Sequence, residues 1–217
     1  MSELFDEVDE DVRRDQLKKL WEKYSVVIIA GAILIIASVG GWRGYQYVEA
    51  KKAAEAGAAF DKAVELSDAN KHAEAEAAFA DLVAKAPFGY RVLSRLRLAA
   101  ETAAREPQAA AKMFDEIAAD RSVGVAEQDL ARIRSAQLLL ESTSYPNMKE
   151  RLEASAAPEA TFRHTARELL ALSAWRNHDL TNARKYIDMV TSDPESPPNV
   201  RGFVQILSAL ITAAGKN

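Results

Sequence analysis

One uncharged stretch, residues 25–42, constrains this chain more than any other feature. It reads SVVIIAGAILIIASVGGW and lies between Lys23 and Arg43. Eighteen helical residues rise about 27 Å, close to the hydrocarbon thickness of a bilayer, about 30 Å. Aromatic residues, which favour the headgroup level, lie on both sides: Trp21, Tyr24, Trp42, Tyr45 and Tyr47. The pattern predicts a transmembrane helix, which we place at residues 25–47.

Two other interpretations of this stretch remain open. A buried core helix normally shows a polar stripe, and residues 26–39 show none. A cleavable signal peptide would use small residues such as those at 37–40. However, the preceding leader is long and acidic, and Trp42 followed by Arg43 is typical of an interface anchor. We therefore favour a retained anchor.

The flanking basic residues predict the orientation of the anchor. Five precede it and three follow it at similar distance: Arg13, Arg14, Lys18, Lys19 and Lys23, against Arg43, Lys51 and Lys52. Lysine and arginine accumulate on the cytoplasmic side. We expect residues 1–24 to form a cytoplasmic leader of a single-pass protein in a bacterial inner membrane. Residues 48–217 would then form a periplasmic domain.

Composition excludes several function classes for the domain after the anchor. The net charge is −4, and the leader, with five basic and eight acidic residues, accounts for −3 of it. The remainder has no basic excess to attract nucleic acid. The chain has no cysteine, which excludes disulfides, thiol catalysis and cysteine-ligated zinc.

Apolar residues at helical spacing predict nine helices after the anchor. No segment alternates with the period of a strand, so the expected fold class is all-α. The predicted segments are 50–67, 71–86, 90–104, 107–120, 125–141, 147–156, 160–177, 180–191 and 199–213.

These helices are predicted to form pairs with a regular spacing. In the second helix of a pair, a small residue precedes a large one by four positions, and a proline often follows the helix. The matching residues are Ala75, Phe79 and Pro87, then Ala109 and Met113 thirty-four residues on, then Ala183, Ile187 and Pro194. Thirty-four residues is the period of the tetratricopeptide repeat. We expect a tetratricopeptide-like helical repeat array after the transmembrane helix, with a generic helical bundle as the alternative.

The sequence offers no catalytic or metal-binding motif. The three histidines, His72, His164 and His178, lack metal-ligand spacing and are expected to be exposed near turns. No phosphate-binding loop or nucleophile elbow occurs. We expect a non-enzymatic protein that needs no cofactor or metal.

A repeat array instead provides a concave surface for a partner protein. The residues predicted to face it are Arg91, Ser94, Leu98, Glu101, Val125, Gln128, Arg132, Ser135, Glu168, Leu172 and Trp175. Tryptophan and arginine often anchor interfaces, so Arg91, Arg132 and Trp175 are the predicted partner-binding residues. The alternative is a core tryptophan with two solvated arginines.

Several short motifs, in their order, resemble a known family. They are DQLKKLW at 15–21, GWR at 41–43, the helix from Tyr47 to Phe60, Gly89-Tyr90 with Leu96, Leu98 and Ala99, and LARIR at 130–134. The chain resembles the membrane-anchored tetratricopeptide-like proteins known as the ancillary subunit of the SecYEG translocon. That resemblance implies an inner-membrane scaffold with a periplasmic repeat domain. Its implied partners are Sec translocon subunits, periplasmic chaperones or exported clients.

Two other functions fit the same architecture. One is an envelope or cell-division coordinator, a family that shares the repeat type. The other is a secreted soluble binding module, which would follow if the N-terminal segment were cleaved.

Overall fold

A computed structural model describes the backbone of residues 3–214 and the side chains of residue 18 and residues 21–213. Two compact units divide the chain, one up to Ala54 and the other from Glu55 onward. No strand occurs in the described part of the chain. The prediction of an all-helical chain is therefore confirmed over residues 3–214. The basic residues Arg13, Arg14 and Lys19, used to predict the orientation, lie outside the described side chains.

Helix α1 (Glu3–Asp68) continues from the first unit into the second. Within the first unit its apolar side chains are exposed, from Val26 to Val39 and beyond. An 18-residue window there has mean hydropathy 2.3 and nothing buried, so α1 is long and apolar enough to cross a membrane. The predicted anchor and the predicted helix at residues 50–67 are separate segments. The structure joins them, because no proline or turn residue interrupts the helix between them.

The second unit continues with eight more described α-helices. They are α2 (His72–Lys85), α3 (Phe88–Ala103), α4 (Pro107–Ala119), α5 (Val125–Leu139), α6 (Tyr145–Leu152), α7 (Arg163–Arg176), α8 (Leu180–Thr191) and α9 (Pro198–Ala214). The predicted ends agree to within about three residues, except in α6. That helix ends at Leu152, and a short 3₁₀ turn, Ala154–Ala156, follows it.

Successive helices of this unit pack against one another: α2 on α3, α3 on α4, α4 on α5, α7 on α8 and α8 on α9. The predicted small-to-large frame is present at the buried positions of three second helices. These positions are Ala75, Phe79 and Leu82 in α2, Ala110, Phe114 and Ile117 in α4, and Ala183, Ile187 and Val190 in α8. An alanine at each crossing lets the paired helices approach closely.

The predicted assignment of Ala109 and Met113 to this frame is wrong by one residue. Both are half-buried, whereas Ala110 and Phe114 are fully buried. The repeat here spans 35 residues, because α2 begins at His72 and α4 at Pro107. A proline at the first position sets where α4 starts. The buried small and large residues of α4 therefore lie one residue later than predicted.

Three clusters form the core of the second unit. The first joins the end of α1 to α2 and includes Ala63 and Phe79. The second joins α3, α4 and the start of α5 around Phe114. The third is much larger and runs from α5 through α9, with Leu170 near its centre.

Two tight turns in this unit contain a residue in the left-handed conformation. Asn70 (φ 58°) lies just before α2, and His178 (φ 60°) lies just before α8. Asp179 then caps α8, since its carboxylate accepts a hydrogen bond from the backbone N–H of Asn182 at 3.0 Å. These turns let each pair of helices reverse direction within three residues.

A polar cluster around Asp193 ties α7 to the segment between α8 and α9. The Asp193 carboxylate accepts hydrogen bonds from Arg163 Nε at 3.2 Å and from Arg167 Nη1 at 3.2 Å, and it lies 3.0 Å from His164 Nε2. The backbone N–H of Glu195, followed by His164 and Arg163, holds the pKa of Asp193 well below its usual range. The expectation that all three histidines are exposed is wrong for His164, which is buried because it turns toward Asp193.

Candidate partner-binding groove

A groove opens between α3 and α5 on the surface of the second unit. Its volume is about 650 Å³. We call it the α3–α5 groove. The side chains that line it are Phe60, Leu93, Leu96, Arg97, Ala100, Ala103, Phe114, Leu130, Arg134, Gln137 and Leu138.

The periodicity of α3 and α5 explains the apolar lining. Leu93, Leu96 and Ala100 recur every three or four residues and so share one face of α3. The small side chains of Ala100 and Ala103 leave space between the two helices. Phe114, itself almost fully buried, contributes to the base of the groove. Leu93 is 46% exposed, so apolar surface is available to a ligand.

Phe60 connects the lining of the groove to the first core cluster. Its ring packs edge-to-face on Phe79 with centroids 5.5 Å apart, and it lies 6.0 Å from the ring of Tyr90. Gly57, one turn earlier on α1, leaves room for the Tyr90 hydroxyl, since a Cβ there would lie 2.7 Å from that oxygen. The aromatic side of the groove is therefore held by packing.

Two arginines give the groove a positive charge. Arg97 and Arg134 are exposed, and Arg134 donates to the Gln137 side-chain oxygen at 3.3 Å. No aspartate or glutamate occurs among the described residues that line the groove. A ligand segment with apolar and acidic side chains would find complementary groups on both helices.

The structure changes the predicted set of groove-facing residues. Ser94, Glu101 and Ser135 are buried between helices, so the predicted register is wrong at these positions. Arg91 is exposed, but it lies on the face of α3 opposite Ala100, because nine helical residues rotate about two and a half turns. The residues that sequence reasoning missed are Leu93, Arg97, Leu130 and Arg134. Their signal in the sequence is a leucine one turn before an arginine on each helix.

Glu101 connects three helices and does not face the groove. Its carboxylate accepts a hydrogen bond from Ser67 Oγ at 2.5 Å and lies 2.8 Å from His72 Nδ1. Burial raises the pKa of Glu101, but the hydrogen bonds from Ser67 and His72 outweigh burial and lower it. The residue therefore stabilises the junction of α1, α2 and α3.

Arg132 lines a different cavity, of about 620 Å³, beside α4 and α6. Its guanidinium pairs with Asp129 one turn earlier on α5. Arg151, also in this cavity, donates to Asp115 and, at 3.1 Å, to Ser135 Oγ. The arginines of this cavity are thus already paired within the unit.

Trp175 packs against the large core cluster and is partly buried on α7. Its predicted neighbours Glu168 and Leu172 are also half-buried, and burial raises the pKa of Glu168. None of Arg91, Arg132 and Trp175 lines the α3–α5 groove. The structure therefore does not bring the three predicted binding residues together there.

Among the described residues, no group of three or more histidine, aspartate or glutamate side chains could hold a metal ion. The chemistry that the groove offers is apolar contact together with charge-assisted hydrogen bonds from two guanidinium groups.

Comparison with known proteins gives one match. The family model of the tetratricopeptide repeat-like domain matches residues 18–185. Searches of curated proteins and of solved structures gave no match. Tetratricopeptide-like repeats generally act as non-catalytic modules that bind other proteins. Because the match covers most of the chain and the helix pairs repeat as described, this protein belongs to the tetratricopeptide repeat-like domain family.

Proposed function

We propose that this protein is a non-enzymatic membrane scaffold whose α3–α5 groove binds a segment of a partner protein. The observation that carries the proposal is the groove lining, which combines exposed Leu93 and half-buried leucines with Arg97 and Arg134 and contains no described carboxylate. Such a surface fits an extended or helical segment with apolar and acidic side chains. Apolar contacts would supply affinity, and the arginines would select for charge.

The anchor in this proposal is residues 25–47. The exposed apolar surface of α1 supports it, since a helix of this hydropathy with nothing buried has no protein partner in the described chain. Residues 1–24 would lie in the cytoplasm and residues 48–217 in the periplasm, on the inner membrane of a bacterium. Extraction of membranes with alkaline carbonate tests the anchor, because a cleaved or peripheral protein would leave the pellet.

The proposed partners are Sec translocon subunits, periplasmic chaperones or exported clients. The resemblance of the motifs at 15–21 and 41–43 to translocon ancillary subunits supports this choice. Exported chains that have not yet folded expose apolar segments, which suits a groove with an apolar lining. An anchored repeat unit would stay near the membrane where such chains emerge.

Site-specific photocrosslinking tests the groove directly. A photoreactive residue in place of Leu93, in the full-length protein in cells, should capture a partner that mass spectrometry identifies. Adding Arg97→Glu and Arg134→Glu should lower the yield at least about tenfold, since charge-assisted hydrogen bonds contribute about 1.5–3 kcal/mol each. An unchanged yield from folded protein would contradict the proposal.

Arg91→Glu is the matched control, because it makes the same charge change on the opposite face of α3. We expect it to leave the yield unchanged. If Arg91, Arg132 and Trp175 bind the partner, as the sequence predicts, substituting them should lower the crosslinking yield. A selective loss of yield in Arg91→Glu, Arg132→Glu or Trp175→Ala would favour these three residues over the groove as the binding site.

A further inference from the structure

Helix α9 has one face in the core and another that no described element covers. Val200, Val204, Leu207 and Ile211 are buried, and α9 packs on α7 and α8. On the uncovered face Phe203 is 36% exposed, Ile206 65% and Leu210 48%. With Ala213 these residues recur at intervals of three, four and three, which is the spacing of a coiled-coil seam. We call Phe203, Ile206, Leu210 and Ala213 the α9 seam.

The seam is free of charge. Arg201 is the one charged residue of α9, and its guanidinium donates to the backbone carbonyls of Asp193 at 3.2 Å and Ser196 at 3.3 Å. Gln205 and Thr212 border the seam on one side. An amphipathic helix that lies on a membrane carries lysine or arginine on its polar face. The uncharged border of this seam therefore argues against a lipid surface as its occupant.

Small residues lie beside the large ones along the seam. Gly202 precedes Phe203, and Ala209 precedes Leu210. A Cβ at Gly202 would meet nothing within 4 Å, so there is open space beside it. In a parallel two-stranded pairing, each large knob enters a hole formed by four residues of the other helix. Phe203 of one copy would lie beside Gly202 of the other, and Leu210 beside Ala209.

We propose that the α9 seam pairs with the same seam of a second copy of this chain, with the two α9 helices parallel about a twofold axis. A twofold axis brings each residue near its own copy, so a charged seam would repel itself and this uncharged one does not. A pairing of single helices is smaller than a standard interface of about 1,600 Å², so we expect a reversible dimer. The proposal does not depend on the groove or on its partner.

Single-cysteine crosslinking in the full-length protein tests this pairing, because the chain has no cysteine of its own. Ile206→Cys places one thiol in the seam, and Thr212→Cys places one on the same helix outside it. After reconstitution into phosphatidylcholine vesicles and mild oxidation, we expect at least about tenfold more disulfide-linked dimer from Ile206→Cys, since only facing positions come within disulfide range. Equal yields from the two variants, or no dimer from either, would overturn the proposal.

A charge-exchange experiment checks that the two seams face each other in register. Ile206→Glu and Ile206→Lys should each lose the dimer, because each places like charges opposite one another. Co-reconstituting the two variants should restore a mixed dimer, which two different affinity tags detect. Ile206 is largely exposed, so both variants should keep the melting curve of the parent. Failure of the mixture to pair, or survival of the Ile206→Glu dimer, would contradict the proposal.

Discussion

The first two helix pairs of the repeat unit and the last two build their cores differently. From the end of α1 to the start of α5, two separate clusters contain six buried residues each. From α5 to α9, a single cluster contains nineteen. The groove lies in the region of separate clusters. From this contrast we expect the later helices to unfold together and the earlier ones to open separately.

The large cluster is reinforced by the polar contacts of Arg167. Buried Arg167 donates to the carbonyls of Ala156 and Met189 and to Asp193, which links the 3₁₀ turn, α8 and the start of the next connection. In a repeat protein each pair contacts its neighbours alone, so stability can differ along the array. Four substitutions, from the largest expected effect to the smallest, can break or sharpen this contrast.

Leu170→Ala should have the largest effect, because Leu170 is fully buried in the nineteen-residue cluster. Such a truncation leaves a cavity and costs about 2–5 kcal/mol. Hydrogen exchange should then rise from α5 through α9 together, while Phe79→Ala should raise exchange near α1, α2 and α3 alone. If both variants raised hydrogen exchange over the same set of helices, the two regions would not differ in this way.

Ala75→Trp should destabilise the first pair by overpacking. Ala75 is fully buried where α1 and α2 meet, and inserted volume in a packed core costs about 1–3 kcal/mol. A melting temperature lowered by several degrees is expected, and Ala77→Trp, at an exposed position of the same helix, is the control. If the two variants melted alike, the small-to-large frame of α2 would be incorrect.

Acid should weaken the later region through Asp193. Because hydrogen bonds from the Glu195 backbone, His164 and Arg163 lower its pKa in the folded state, its stabilisation is present above the unfolded pKa, about 3.9. It is lost as the pH falls below that value toward the folded pKa. Asp193→Asn should melt lower at pH 7 and show a smaller further drop between pH 4 and pH 2. If the melting temperature of Asp193→Asn fell as much as that of the parent between pH 4 and pH 2, Asp193 would not be the source of the acid sensitivity.

Gly57→Ala should have the smallest effect, because two contributions oppose each other. Alanine favours helix over glycine by about 1 kcal/mol, but its Cβ would press on the Tyr90 hydroxyl. We expect a net change below about 1 kcal/mol. In a Tyr90→Phe background the same substitution should stabilise the protein, as measured by urea unfolding. A loss in both backgrounds would mean that Gly57 serves another purpose.

The sequence was sufficient to predict the helices and the small-to-large frame of α2 and α8, but not the one-residue shift of that frame in α4 or the early end of α6. Proline and turn residues end each helix, and alanines such as Ala75 and Ala183 mark where helices cross. The groove was not predictable, because an error of one residue rotates a helix face by about 100°, and the predicted face of α3 included buried Ser94 in place of the adjacent Leu93. Burial of His164 was also missed, since its partner Asp193 lies 29 residues away and no local pattern marks that pairing.

The left-handed residue before α8 has a consequence for the order of folding. An L-residue in that conformation costs about 1–2 kcal/mol, although asparagine and histidine adopt it more often than most residues. We therefore expect the α7–α8 turn to form together with the packing of the two helices, whose contacts compensate this cost, and not before it.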